Sequence, residues 1–143
     1  MAKVLAVCIS EKKGEIKHPV EKAELKIDHG IVGDAHAGNW HRQISLLAIE
    51  SVDKMRSNVP IELKPGDFAE NILTEGIILH EIKIGTKLRI GETELELTQI
   101  GKQCHNDCAI KKQVGMCVMP LEGIFCKVLK GGTIKAGDEI EII

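Results

Sequence analysis

Short apolar or alternating runs recur along the whole chain, separated by glycine, proline or charged turn signals, and this rhythm constrains the fold more than any other property of the sequence. The runs are VLAVCI from Val4, AELKI from Ala23, ISLLAI from Ile44, KLRI from Lys87, TELELTQI from Thr93, GIFCKVL from Gly123 and DEIEII from Asp138. Their brevity and branched side chains read as strands. In TELELTQI the period is explicit: Leu95 and Leu97 point one way, and Glu94, Glu96 and Thr98 the other, as a half-buried strand requires. One stretch, Leu47 to Asn58, carries an approximate helical stripe through Ile49 and Val52 before Pro60 stops it. A second helical turn is expected over Cys108 to Val114. Strands and helices do not alternate, so the expected fold is mainly β, barrel-like, with one or two short helices. GTKLRIGETEL from Gly85 and GTIKAGDEIEI from Gly132 echo each other, which is read as shared hairpin chemistry and not as a repeat.

At 143 residues the sequence fits a single domain spanning 1–143, long enough to bury a core without staples. Nineteen Lys and Arg against 21 Asp and Glu give a net charge of -2 with the signs interspersed, which argues against the basic face that a nucleic-acid partner needs. One Trp, two Phe and no Tyr also leave little for base stacking. The N-terminal MAKVLAVCIS turns charged too soon for a signal peptide or a membrane span and reads as a first strand, so a cytoplasmic protein without membrane contact is expected. Five unevenly placed cysteines fit a reducing compartment, where thiols serve packing, metal binding or catalysis.

The densest set of reactive side chains is QIGKQCHNDCAI, residues 99–110, with Cys104, His105, Asn106, Asp107 and Cys108 directly after a strand. A loop leaving a strand end can hold such groups on a rigid scaffold. Lys102 and His105 flank Cys104, and positive charge there would lower the thiol pKa and populate the thiolate. The alternative is structural zinc held by Cys104, His105, Cys108 and Cys117, although C-x3-C departs from the usual zinc knuckle. Cys8 and Cys126 sit within apolar runs and read as core residues.

A second polar cluster, GDAHAGNWHRQISLLA from Gly33, gathers Asp34, His36, Trp40, His41, Arg42 and Gln43 ahead of a core strand. Arg42 is suited to a bidentate grip on phosphate or carboxylate. Its histidines either bind a ligand or pin a long loop through hydrogen bonds, and spacing does not choose between the two. In PGDFAENILTEGI from Pro65, Glu70 and Asn71 interrupt an apolar stretch and must find partners or line a cavity.

Taken together, GDAHAGNWHRQISLL, PGDFAENILTEGI, IGTKLRIGETELELTQIGKQCH and GGTIKAGDEIEI resemble, in order, the successive blocks of MOSC domains, the family named after the C-terminal part of molybdenum cofactor sulfurases. The resemblance implies a β-barrel-type domain that binds the molybdenum cofactor (molybdopterin) or carries sulfur for it. It implies Cys104 as molybdenum ligand or persulfide carrier, with Cys108 as fallback, and Asn71 near the cofactor. Arg42, His36, His41 and Lys102 complete the expected cofactor-binding set. An enzymatic version, reducing N-hydroxylated compounds, would require an electron-transfer partner, because no flavin, haem or iron–sulfur motif is visible. The carrier version would require a sulfur donor. The non-catalytic alternative is a zinc-stabilised structural or sensor domain.

Overall fold

The computed structural model describes residues 2–12, 15–56, 64–101 and 122–143. Among them run eleven strands: β1 (Lys3–Ile9), β2 (His18–Val20), β3 (Lys22–Lys26), β4 (Gly30–Ile31), β5 (Ile44–Ala48), β6 (Ile72–Glu75), β7 (Lys87–Ile90), β8 (Thr93–Ile100), β9 (Ile124–Lys130), β10 (Gly132–Lys135) and β11 (Ile140–Ile142). One α-helix, α1 (Ile49–Arg56), follows β5, and a 3-10 turn covers Leu79–Glu81. The mainly β architecture expected from the sequence is therefore present. The large sheet has the order β11-β7-β8-β9-β5-β6-β1-β2, and β10-β3-β4 form a smaller one.

All neighbours in the large sheet are antiparallel except β5 and β6, which run parallel with Leu46 opposite Ile72 and Ala48 opposite Thr74. Parallel neighbours need a crossover, and α1 lies on it. This explains why the helix begins at Ile49, whereas its expected start was Leu47: Leu47 and Ala48 are claimed by β5. Every residue of β5 is buried, as befits a central strand covered on both faces. Alternation then divides the core in two. Val7, Leu46 and Ile72 face the larger cluster with Leu25, Ile31 and Ile134 of the small sheet, while Cys8, Leu47 and Leu73 face the smaller one with Val52 of α1, Phe68 and Phe125. In β8 the expected alternation holds, with Leu95 and Leu97 fully buried and Glu94, Glu96 and Thr98 partly exposed.

The sheet is not closed into a barrel. Its first strand is nevertheless stitched to the turn ahead of β11: Val4 N–H donates to Asp138 O at 2.8 Å, Gly137 N–H to Val4 O at 2.8 Å and Ile140 N–H to Ala2 O at 2.9 Å. The echoing segments also part company. The first is the β7–β8 hairpin, whereas in the second β10 pairs with β3 and β11 with β7, so the same local pattern serves two sheets. Among the described residues no helix is long and apolar enough to cross a membrane.

Candidate functional site

The loop between β4 and β5 turns at Gly33, whose φ of +90° suits glycine, and places Asp34 in the interior. There it meets Lys17, from the segment ahead of β2. The two side chains are fully buried, with Nζ 2.7 Å from Asp34 Oδ1. Lys17 Nζ also donates to Ser10 Oγ at 3.0 Å and lies 3.1 Å from His36 Nδ1. Asp34 Oδ1 accepts Ser10 N–H at 3.1 Å, and Oδ2 accepts His36 N–H at 3.1 Å. Burial alone would push the Asp34 carboxyl up, but the Lys17 hydrogen bond and charge, with the two backbone donors, pull it below its ordinary value. The network fixes the first half of the loop against β1.

The second half is fixed by aromatic contacts and by β8. Trp40 Nε1–H donates to His36 O at 2.8 Å. The Arg42 guanidinium lies over the Trp40 ring at 4.7 Å and over the Phe125 ring at 5.5 Å, a cation–π arrangement with one ring from its own loop and one from β9. Arg42 Nε is buried and has no hydrogen-bond partner among the described residues. His41 Nε2 is 2.8 Å from Gln99 Oε1, and the Thr98 hydroxyl lies against the carbonyls of His41 and Phe125. Gln99 Nε2 in turn donates to Gly101 O at 2.7 Å. The His41–Arg42 end of the loop is thus tied to the end of β8, from which residues 102–121 depart.

The third expected segment lies behind these two. Gly66, at φ +89°, packs so closely on the backbone of Lys17 that a Cβ there would stand 2.0 Å from Lys17 O. Ala69 takes a left-handed φ of +62°, uncommon for a residue with a Cβ. The turn forms around Glu70, whose buried carboxyl accepts Gly66 N–H at 2.8 Å and Phe68 N–H at 3.2 Å. Burial dominates there and pushes the Glu70 carboxyl up to about 7, against the pull of those donors. Asn71 is fully buried. Its Oδ1 accepts from Ser45 N–H at 3.0 Å and the Ser45 hydroxyl at 3.2 Å, while Nδ2 donates to Cys8 O at 3.0 Å, so one amide binds β1, β5 and β6 together.

Of the residues singled out in the sequence, His36, His41 and Arg42 share one loop. Asn71 stands at the base of β5, the strand that this loop enters, with its side chain engaged in strand pairing. Lys102, Cys104, His105, Cys108 and Cys117, with the zinc alternative built on them and the helical turn expected at Cys108, lie outside the described residues. Cys8 and Cys126 are buried core thiols, as expected; burial pushes Cys8 up to about 12 and Cys126 higher still, so neither suits nucleophilic or metal-binding chemistry. Among the described residues no cluster of three metal-ligating side chains occurs. The sequence reading missed Lys17. Its setting, EKKGEIKHPV, looks like a solvated charged turn, and the Asp34 that draws it inward lies seventeen positions away.

A family model described as the MOSC domain matches residues 33–141, a span that includes the loop, the Glu70 turn, β5 to β10 and the start of β11. Among solved structures, the YUAD protein from Bacillus subtilis is similar with a TM-score of 0.80 at 21% identity, covering 99% of this chain and 96% of that one. YiiM from Geobacillus stearothermophilus is similar with a TM-score of 0.75 at 16% identity, covering 100% of this chain and 75% of that one. YiiM from Escherichia coli reaches a TM-score of 0.65 at 18% identity, covering 99% and 68%. At these identities the likeness concerns the fold. No curated protein matches the chain.

Proposed function

The chain belongs to the MOSC domain family, and from that premise we propose that it binds the molybdenum cofactor or carries sulfur for it, with Cys104 as the metal ligand or persulfide carrier. The observation that supports this reading most is Arg42. Its guanidinium is held against two aromatic rings, and its buried Nε–H has no acceptor among the described residues. A buried donor without a partner costs about 1–3 kcal/mol, and an anion taken side-on by Nε and a neighbouring Nη would remove that cost. The phosphate of the pterin cofactor is such an anion. The donor set therefore fits the group: Arg42 would hold the phosphate, and His36 and His41 would add hydrogen bonds from the same loop. Asn71 contributes from behind, by fixing the strand into which the loop runs. When bound, the cofactor would supply a redox-active metal, for which a thiolate is a soft ligand.

Tying the loop to the end of β8 through His41 and Gln99 gives residues 102–121 a fixed point of departure beside Arg42. That suits a reactive thiol on those residues, whether the thiol holds metal or hands on sulfur. The proposal extends to a single cytoplasmic domain that works with a small-molecule substrate and a sulfur donor or an electron-transfer protein. Protein purified from a molybdenum-replete host should carry molybdenum and pterin fluorescence. Both should fall at least about tenfold in Arg42→Ala, the effect of losing one charge-assisted bidentate contact, and molybdenum should fall in Cys104→Ser. If pterin is absent, one rapidly alkylated thiol at Cys104 supports the carrier version. Stoichiometric zinc without pterin, lost together with the fold on chelation, would overturn both.

A further inference from the structure

Lys17 has a fully buried side chain. A buried ammonium is tolerated only with its donors satisfied, and lysine has three N–H bonds and no lone pair to offer. Three acceptors surround it: Asp34 Oδ1 at 2.7 Å, Ser10 Oγ at 3.0 Å and His36 Nδ1 at 3.1 Å. The remaining bonds leave one consistent assignment. The Ser10 hydroxyl gives its own proton to Lys12 O at 3.0 Å, so its lone pair faces Lys17. Asp34 takes Ser10 N–H on Oδ1 and His36 N–H on Oδ2. Nδ1 of His36 must then accept, because its neighbour can only donate.

His36 Nδ1 also stands 3.9 Å from Asp34 Oδ2, a distance that an imidazolium–carboxylate pair would tolerate. The shorter contact decides between them. A proton on Nδ1 would break the Lys17 hydrogen bond and set two cations 3.1 Å apart in the interior. We infer that Lys17 is a positioning residue: it holds the His36 ring neutral, with Nδ1 accepting and the proton on Nε2, so that the ring acts at Nε2 as a hydrogen-bond donor and not as a cation. Nδ1 of the ring meets Lys17 Nζ from the segment ahead of β2 and Asp34 Oδ2 from its own loop, with Ser10 just after β1 holding Lys17 in place, while the Trp40 indole binds the His36 carbonyl. The positive charge that attracts a ligand is then supplied by Arg42, which keeps it at all physiological pH values. The inference concerns the state of His36 and stands whether or not the ligand is a pterin.

Long-range proton–nitrogen NMR correlation on nitrogen-15-labelled full-length protein reads that state directly. At pH 6.5, where an ordinary histidine is about half charged, His36 should remain at least about nine-tenths neutral, with only Nε2 protonated. In Lys17→Met/Asp34→Asn, which removes both buried charges together, the ring should titrate near its ordinary value of about 6.5. Lys17→Gln provides a second variant: its amide still donates to Nδ1 but carries no charge, so the tautomer should persist while the ring titrates closer to the ordinary value. A native His36 that is half charged at pH 6.5, or that carries its proton on Nδ1, overturns the inference. So does a folded variant of either kind in which the titration of the ring is unchanged.

Discussion

Asn71 satisfies three buried groups on two other strands, and its replacement shows what one side chain can hold. Asn71→Ala strands Ser45 N–H and Cys8 O in the interior, while the Ser45 hydroxyl keeps Ala69 O at 3.4 Å and the backbone N–H of residue 71. Each buried orphan costs about 1–3 kcal/mol, with partial relaxation, so urea denaturation should report a loss of about 3 kcal/mol. Glu70 carries a pH dependence of definite sign. Burial raises its carboxyl from 4.5 to about 7 in the folded protein, so folding favours the protonated form. Its contribution to stability is complete below about pH 4.5 and is lost as the pH rises through about 7, a change of about 3 kcal/mol. Glu70→Gln should flatten that part of the stability-against-pH curve. The need of Glu70 and Asn71 for partners was legible in the sequence, because both interrupt an apolar run. Which partners they find was not, since Asn71 meets Cys8 across 63 positions and Ser45 across 26. Lys17 was illegible for the same reason, as only tertiary contact distinguishes a buried lysine from its exposed neighbours.

At the scale of elements, the turn ahead of β6 and the segment ahead of β2 meet at Gly66. Gly66→Ala adds a methyl group 2.0 Å from Lys17 O at a φ of +89°, so neither the space nor the backbone accommodates it. The substitution should cost about 3 kcal/mol or more in thermal or chemical denaturation, with the shift falling on the segment that carries Lys17. Strands with an explicit period, such as β8, were readable from alternation alone. The short β2, β4 and β6 were not, because pairing with neighbouring strands decides their state. For the helix the stripe identified the element, but its start was set by β5. A parallel neighbour at β6 required Leu47 and Ala48 to stay extended, and that requirement cannot be seen in the local pattern.

At the scale of the molecule, the two cysteines among the described residues are both buried, one in β1 and one in β9. Iodoacetamide applied to the native protein at pH 8 should leave Cys8 and Cys126 unmodified, and unfolding should expose both, as peptide mapping by mass spectrometry will read. Alkylation of either thiol in the native state would contradict the packing described for β1 and β9. The mainly β class and the grouping of His36, His41 and Arg42 were accessible from sequence because each depends on residues close together in the chain. The loop's attachment to β8 and the parallel pair in the sheet depend on residues far apart. The seam between residues 2–4 and 137–140 is the extreme case, joining the beginning of β1 to the turn ahead of β11. During synthesis, then, β1 leaves the ribosome well ahead of its partner, and the seam cannot form until the Gly137–Ile140 turn has emerged. Its backbone groups must stay hydrated, or be shielded by a chaperone, while the residues between the two halves of the seam are made, and this zippering is a late event in the folding of the domain.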